Sequence, residues 1–289
     1  MAAAAAELGI SQPAVSEVIA SLEHTLGVRL FDRGPQGVEA TVYGRALLWR
    51  SLAAFDELKQ AVREIASLSD PTSGEVRIGS GLTLSATILP TLVTQFTRRY
   101  PRVALHVGVV PPPTRDLTGL RDRDYDLILG RWGMPVPRDV EDVNVEVLFD
   151  DPLVVAAGPK HRWVSRRKID LAELVDEPWV LTPPHTWNYI GVEEAFRVRG
   201  LVMPKARVVT SSVHVSTELL AKQTFVTAHA KSLAQSCGLK VLPVKLPARP
   251  WPVAILTLKN RTLSPVVELF RAHVREVVNS IAASDVARR

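Results

Sequence analysis

The sequence of 289 residues is poor in cysteine and has no long apolar run. Its single cysteine, Cys237, excludes an internal disulfide framework and fits the reducing conditions of the cytoplasm. No apolar run reaches the roughly 18 positions that a membrane-spanning helix needs, and the alanine-rich start lacks the basic and apolar segments of a secretory signal. We therefore expect a cytoplasmic protein without a membrane partner, folded into two or three compact units.

Motifs of common enzymes are also missing. Residues 79–81 read Gly-Ser-Gly, but the dinucleotide fingerprint fails because residue 84 is leucine. There is no P-loop, no HExxH and no GxSxG, and the seven histidines are scattered without the spacing of metal ligands. We therefore expect neither an enzyme nor a bound cofactor.

The first 27 residues contain a pair of helices joined by a short turn. Residues 2–8 are strong helix formers that stop at Gly9. Ser11 is a good N-cap, and apolar spacing predicts a second helix from Gln12 to Leu26 that ends at Gly27. Its buried face should consist of Ala14, Val15, Val18, Ile19, Leu22 and Leu26. This arrangement is typical of a helix-turn-helix.

The start of the second helix and the segment after it suit DNA. Small side chains there can reach base edges and phosphates without blocking the major groove, and these residues are Ser11, Gln12, Pro13 and Ser16. Residues 28–33 are predicted to form a strand and residues 34–37 a turn, with residues 38–40 leading out of the turn. This pattern predicts a β-wing. Arg29 and Arg33 of the wing could contact phosphates; alternatively, both are solvated surface residues.

Charge distribution limits how this region can bind DNA. The whole chain carries a net charge of +5, which permits contact with nucleic acid. Residues 1–70, however, contain six basic and nine acidic residues, a net charge of −3. DNA binding there must depend on positioned groups and not on bulk attraction.

The N-terminal pattern looks like the signature of LysR-type transcriptional regulators. The matching residues are the run 4–16, then Ile19, Leu22-Glu23, Leu26-Gly27, residues 30–33, Thr41 and Gly44. The resemblance implies that Ser11, Gln12, Pro13 and Ser16 lie at the DNA-facing end of the recognition helix and that Arg33 is the wing arginine. It also implies a further helix of about twenty residues upstream, so we expect the winged helix-turn-helix, residues 1–40, to be incomplete in its first helix.

A long helix is predicted to follow the wing, over residues 41–68 of a linker that extends to residue 70. Its apolar residues recur at steps of three and four and form a seam of Leu48, Leu52, Phe55, Leu58, Val62 and Ile65. The seam could pack on its own domain, or it could pair with a second copy. We favour pairing, as the resemblance also implies, and expect a homodimer or homotetramer.

Residues 75–285 alternate between predicted strands and helices, which predicts an α/β fold. The order strand, helix, strand, helix, strand over residues 76–130 predicts a parallel sheet. A second set of elements begins near Asp151, so we expect two lobes like those of periplasmic binding proteins: lobe I over 75–148 and 253–285, and lobe II over 149–252. The LysR-type effector domain resembles this region, notably in residues 124–130 and in Leu263-Ser264-Pro265.

Candidate ligand-binding residues follow the predicted strands, because such sheets bind ligands at the carboxyl ends of strands. They are Ser80, Leu82, Thr83, Thr114, Arg131, Trp132, His185, Thr186, Ser212, Val213 and Thr227. Hydroxyl groups, an arginine and helix N-termini suit a small carboxylate or hydroxylated acid.

Structural roles remain open for these residues. The hydroxyls of Ser80, Thr186 and Ser212 could cap helices without touching a ligand. Arg131 could pair with a carboxylate of the protein, and Trp132 could simply pack. His229, at the end of the last predicted strand, is a further candidate, but both His185 and His229 could lie on loop surfaces without contacting a ligand.

We thus expect a transcriptional regulator that binds double-stranded promoter DNA, a small-molecule effector and, in addition, RNA polymerase. The alternative is a solute-binding protein of the periplasmic type. That class would suit the two lobes but would need an export signal and has no use for residues 1–68.

Overall fold

The computed structural model describes residues 2–34, 37–70, 72–110, 117–133, 140–222, 224–249 and 251–287. The chain divides into two compact units, Met1–Lys59 and Gln60–Arg289. In the described part of the chain, no helix has both the length and the apolar character that a membrane crossing requires.

The N-terminal unit begins with the two predicted helices. Helix α1 is Ala2–Leu8 and α2 is Gln12–Leu26, as predicted. Ser11 is the N-cap of α2, since its Oγ accepts the N–H of Ala14 at 3.3 Å. The helix ends at Gly27, whose φ of 69° is a left-handed conformation that glycine adopts without strain.

The apolar face of α2 is less buried than predicted. Val15 is 8% exposed, but Val18, Leu22 and Leu26 are 65%, 39% and 46% exposed. The prediction of a fully buried face is therefore wrong for these three residues. The physical reason is that the chief helical partner of α2 within the described part of this unit is α1, which has only seven residues.

The wing consists of β1, Phe31–Gly34, and β2, Gly37–Ala40, which pair antiparallel. Residues 35 and 36 of the predicted turn lie outside the described residues, as does the side chain of Arg33. The first strand starts three residues later than predicted, with Phe31 paired to Ala40. The backbone N–H groups of Leu30 and Phe31 donate to the side chain of Glu23.

The linker helix α3 is Val42–Ser69, within one residue of its predicted bounds. Of the predicted seam, Leu48, Phe55, Leu58, Val62 and Ile65 are more than half exposed in the single chain. Pairing of this seam with a second copy remains a prediction.

Beyond the linker, the strands and helices of the described residues are labelled in chain order. They are β3 (Ser73–Gly81), α4 (Leu82–Ala86), α5 (Ile88–Arg99), β4 (Arg102–Val110), α6 (Thr118–Arg121), β5 (Leu127–Arg131), β6 (Val143–Phe149), β7 (Leu153–Ala157), β8 (Trp179–Leu181), α7 (Trp187–Val198), β9 (Ala206–Val209), α8 (Val213–Lys222), β10 (Val226–Ala230), α9 (Lys231–Ser236), β11 (Lys240–Val241), β12 (Val253–Leu258) and α10 (Pro265–Ala287).

Lobe I contains a mixed sheet in the order β4-β3-β5-β12-β6. Strand β3 is parallel to β4 and β5, as predicted, but β12 runs antiparallel to both of its neighbours. The parallel arrangement predicted for residues 76–130 is confirmed, and the antiparallel β12 enters the sheet on the chain's return from lobe II. Strand β6 was not predicted, although Val143, Val145 and Val147 alternate with polar residues. The core packs Phe96 edge-on against Phe270, with ring centroids 5.1 Å apart.

Lobe II contains a second sheet in the order β11-β7-β10-β8-β9. Strand β10 is parallel to β8 and antiparallel to β7. Its core includes Trp179 and Phe196, whose rings meet edge to face at 5.9 Å. The chain crosses from lobe I to lobe II between Phe149 and Leu153 and returns just before Val253.

Gly158 allows α8 to lie close to the end of β7. A Cβ at this position would meet the carbonyl oxygen of Leu220 at 2.0 Å, and a backbone atom cannot move aside as a side chain can. We expect Gly158→Ala to destabilise the fold by about 1–3 kcal/mol through overpacking, measured by urea denaturation. Gly130→Ala is the matched control, because its Cβ would make only an ordinary contact at 3.6 Å with Ile128. Equal stability of the two variants would contradict the close approach.

Candidate functional site

The predicted DNA-facing residues gather at the start of α2 and in the wing. Ser11, Gln12 and Pro13 are exposed, Ser16 is half-buried and Arg29 is exposed. The capping hydrogen bond keeps the Ser11 side chain at the helix start. The N-terminus of this fifteen-residue helix is therefore accessible, as a helix that enters a major groove requires.

A cavity lies between the two sheets of the C-terminal unit and is called the interlobe cavity below. It encloses about 720 Å³ of empty space, including solvent at its mouth. Its walls are formed by Gly81, Leu82, Thr83, Leu84, Val110 and Arg131 of lobe I, and by Thr182, Thr186, Trp187, Asn188, Thr210, Ser211, Ser212, Val213, Ser216, His229 and Leu233 of lobe II. A cleft between two lobes, lined by apolar side chains and a few polar groups, is typical of small-molecule sites.

Six of the predicted ligand-binding residues line this cavity. They are Leu82, Thr83, Arg131, Thr186, Ser212 and Val213. The rule that ligands bind beyond the carboxyl ends of strands therefore brings together residues from both lobes.

Four other predicted residues do not line the cavity. Ser80 is fully buried inside β3, and Trp132 packs in the core of lobe I at 2% exposure. The Oγ1 of Thr227 donates to the carbonyl of Val180 at 2.7 Å, which binds β10 to β8. His185 is exposed, with a φ of 73° in the turn before α7. Thr114 lies outside the described residues.

Two helices of lobe II point their N-termini at the cavity. Thr186 is the N-cap of the twelve-residue α7, and its Oγ1 accepts the N–H of Tyr189 at 3.3 Å. Ser212 precedes the ten-residue α8, and its Oγ accepts the N–H of Val215 at 3.2 Å. Both hydroxyls therefore cap helices and line the cavity at once. Helix N-termini carry partial positive charge and favour anions.

Three further buried polar residues line the cavity on the lobe II side: Asn188 and Ser216, which sequence reasoning did not select, and His229, which it placed at a strand end or on a loop surface. Asn188 donates through Nδ2 to the carbonyl of Ala228 at 3.2 Å. The Oγ of Ser216 lies 2.9 Å from Nε2 of His229. His229 is only 4% exposed and belongs to β10, so its interpretation as the end of a strand is confirmed and the alternative of a loop surface is wrong.

The described residues offer no hydrogen-bond partner to Nδ1 of His229 or to Nε of Arg131. Both side chains are more than nine-tenths buried, and both residues line the cavity. Most buried polar atoms in proteins are hydrogen-bonded, so each of these two atoms has the capacity for one further hydrogen bond.

Arg131 is held by the protein itself. Its Nη1 donates to the carbonyls of Asp151 at 2.9 Å and Trp251 at 3.2 Å, and its Nη2 donates to the Asp151 carboxylate. The guanidinium carbon lies 4.2 Å from the ring centroid of Trp187. Burial lowers the pKa of Arg131, and the charge of Asp151 opposes that effect. The alternative role considered from the sequence, pairing with a carboxylate of the protein, is thus the observed one.

The Arg131 contacts join both passages between the lobes. Asp151 lies on the outward passage and Trp251 on the return, while Trp187 belongs to α7 of lobe II. Asp151 also accepts from the N–H of Ser232 at 2.9 Å and from its hydroxyl at 2.5 Å. Arg131, a side chain of the cavity wall, therefore connects the two segments through which the chain passes between the lobes. These two segments are called the hinge below.

Two protein-family models match this chain. The LysR substrate binding domain matches residues 69–279, and the bacterial regulatory helix-turn-helix protein, lysR family, matches residues 1–45. The chain belongs to the LysR family of transcriptional regulators. Membership in this family favours a DNA-binding regulator controlled by a small molecule over the solute-binding alternative.

Relatives and solved structures agree with the LysR assignment. The HTH-type transcriptional regulator GbpR of Azospirillum brasilense is 30% identical over 295 residues, which cover 99% of this chain and 82% of that protein. A full-length OxyR variant from Pseudomonas aeruginosa superposes with a TM-score of 0.70 at 23% identity, over 94% of this chain and 88% of that one.

The effector binding domain of QuiR in complex with shikimate also shares the fold. It superposes with a TM-score of 0.60 at 18% identity and covers 72% of this chain and 98% of that one. At this identity the likeness to either solved structure concerns the fold alone.

His229 makes the stability of this regulator depend on pH. Burial lowers its pKa from 6.5 to about 4, so between these values the unfolded chain takes up a proton that the folded chain does not. Its contribution is present above pH 6.5 and is lost as the pH falls towards 4, by about 3 kcal/mol in all. Replacing His229→Asn should reduce the fall in unfolding free energy over this range, measured by urea denaturation. His185→Asn, at an exposed position, should leave the fall unchanged; equal slopes for all three proteins would refute the effect.

Proposed function

We propose that this LysR regulator senses a small hydroxylated carboxylate bound in the interlobe cavity. The observation that carries the proposal is that two helix N-termini and two buried polar atoms without a partner among the described residues belong to the lining of the same cavity. The effector is held there and changes the affinity of the protein for promoter DNA.

The negative charge of the effector is argued from the helix ends. The N-termini of α7 and α8 carry partial positive charge, and their first turns line the cavity through Trp187, Asn188 and Val213. Arg131 adds little net charge, because Asp151 neutralises it at close range. The carboxylate would therefore be bound by helix ends and hydroxyl groups, not by a free cation.

The hydroxyl groups of the effector are argued from the short polar side chains in the wall. Thr83, Ser211, Ser212 and Asn188 can each donate or accept a hydrogen bond. His229 is neutral at about pH 7 because burial lowers its pKa to about 4, and since Nε2 is bound to Ser216, its Nδ1 is left to donate or accept one hydrogen bond according to the tautomer. Shikimate, which is bound in the QuiR effector domain, is an acid of this class.

The remaining partners follow from the N-terminal unit. We propose that Ser11, Gln12, Pro13 and Ser16 face the major groove, while Arg29 and Arg33 meet phosphates. The exposed apolar seam of α3 pairs with a second copy, which places two DNA-binding heads on a dyad site as a dimer or tetramer. The protein acts in the cytoplasm with RNA polymerase and has no catalytic activity.

The effector response would pass through the hinge that Arg131 fastens. A ligand against Trp187 and Arg131 changes the balance between two lobe arrangements only if it binds one of them more tightly. Shifted lobes then alter the setting of the DNA-binding heads by population shift.

The effector class can be tested by thermal unfolding. Shikimate and other hydroxylated carboxylates should raise the melting temperature when they bind, while their uncharged amides should not. At a ligand concentration roughly a hundredfold above Kd, binding stabilises the folded state by about 2.7 kcal/mol. Thr83→Val removes a cavity hydroxyl without changing its shape and should weaken the shift; Thr97→Val, on the exposed side of α5, is the control. Stabilisation by the amides but by none of the acids would contradict the proposal.

The hinge role of Arg131 predicts a particular loss. Arg131→Lys keeps the charge but cannot make all three hydrogen bonds of the arginine. An acid that stabilises the unaltered protein in the thermal assay should still bind this variant, while the DNA affinity of the variant no longer responds to that acid. Titrations of effector and of DNA on the same variant measure the two effects separately. Complete loss of effector binding would instead make Arg131 a direct ligand.

A further inference from the structure

A single carboxylate joins the recognition helix to the base of the wing. Glu23 lies on α2, and its Oε1 accepts the backbone N–H of Leu30 at 2.7 Å and of Phe31 at 3.1 Å. Hydrogen bonds to a charged acceptor are stronger than those between neutral groups. The first residue of β1 is therefore tied to the helix that reads DNA.

The opposite side of the same segment is tied to the linker helix. The N–H of Thr41 donates to the carbonyl of Leu30 at 2.9 Å, and its Oγ1 donates to the carbonyl of Arg29 at 2.7 Å. That hydroxyl also accepts the N–H of Gly44 at 3.0 Å, which caps the start of α3. Residues 29–31 are thus held from two sides.

Gly44 makes this close approach possible. A Cβ at residue 44 would lie 2.0 Å from the carbonyl oxygen of Leu30, closer than any side chain can approach. The adjacent Arg45 donates through Nη1 to the carbonyl of Ala40 at 2.6 Å, so the second wing strand is also tied to α3. Leu30 itself is only 3% exposed.

From these contacts we infer that Glu23, Thr41 and Gly44, here called the wing joint, are positioning residues for DNA binding. They hold the recognition helix, the wing and the start of the linker helix as one rigid body. A tilt of the linker helix then turns the recognition helix and the wing together. The inference rests on the DNA-binding function of the family and is independent of the proposed effector.

The test compares Glu23→Ala, Glu23→Gln and Glu7→Ala in the full chain. The probe is the DNA duplex that the unaltered chain selects from a random-sequence pool. Glu23→Ala should weaken binding of this duplex by about tenfold or more, since it leaves two backbone N–H groups without an acceptor. Glu23→Gln keeps an oxygen at the same place and should recover most of the affinity. Glu7→Ala removes the same charge at an exposed site of α1 and should change little.

Amide hydrogen exchange separates positioning from general damage and needs no DNA. In Glu23→Ala the amides of Leu30 and Phe31 should exchange at least about tenfold faster, while those within α2 keep their protection. Footprints should lose protection on the flank contacted by the wing before the centre of the site. Gly44→Ala should shift the footprint in the same way.

Three results would overturn the inference. The first is unchanged exchange at Leu30 and Phe31 in Glu23→Ala. The second is a Glu23→Gln variant as impaired in DNA binding as Glu23→Ala, which would assign the effect to charge. The third is a uniform loss of protection across α2, which would make Glu23 a residue of general stability.

Discussion

The buried pair of Arg131 and Asp151 is the constraint from which the rest of the C-terminal unit follows. A charge removed from water must be matched at close range, and removal of one partner of such a pair typically costs about 3–5 kcal/mol. Here both terminal nitrogens of the guanidinium have acceptors: Asp151 supplies a carboxylate and a carbonyl, and Trp251 supplies a second carbonyl. Since these groups lie on the two passages between the lobes, the cavity and the hinge share one side chain.

That pairing decides how the cavity can bind an anion. If Arg131 were free, a carboxylate could be recognised by a salt bridge, as residue types alone suggested. With Arg131 neutralised, the positive potential comes from the backbone ends of α7 and α8. Such a site selects a ligand by its shape and hydrogen bonds more than by its charge. The neutral His229 and its partner Ser216 therefore matter for this selection.

The sequence predicted best what depends on neighbours along the chain. The bounds of α1, α2 and α8 agree because caps, glycines and helical spacing act within one or two turns. The cavity residues Thr83 and Ser212 were found because strand ends share one edge of a sheet. Strand order, the antiparallel β12 and the partners of Arg131 depend on chain segments that lie as much as 128 residues apart, as Ile128 and Leu256 do, and local periodicity carries no information about them. For His229 the sequence left a strand end and a loop surface as alternatives, and only its burial beside α8 decides for the strand.

The N-terminal unit must bind DNA in spite of its charge. Residues 1–70 carry a net charge of −3 while the whole chain carries +5, so residues 71–289 carry +8. The net charge of residues 1–70 does not favour DNA, so binding there depends on the placement of individual groups. The carboxylate of Glu23 is directed at two backbone N–H groups, those of Leu30 and Phe31. Glu23 carries a charge of the same sign as DNA, and the inference above is that it nevertheless aids binding by positioning the wing. Each loss of about 1.4 kcal/mol of binding free energy through misplacement weakens the affinity about tenfold. In a dimer, both DNA-binding heads would lose this free energy.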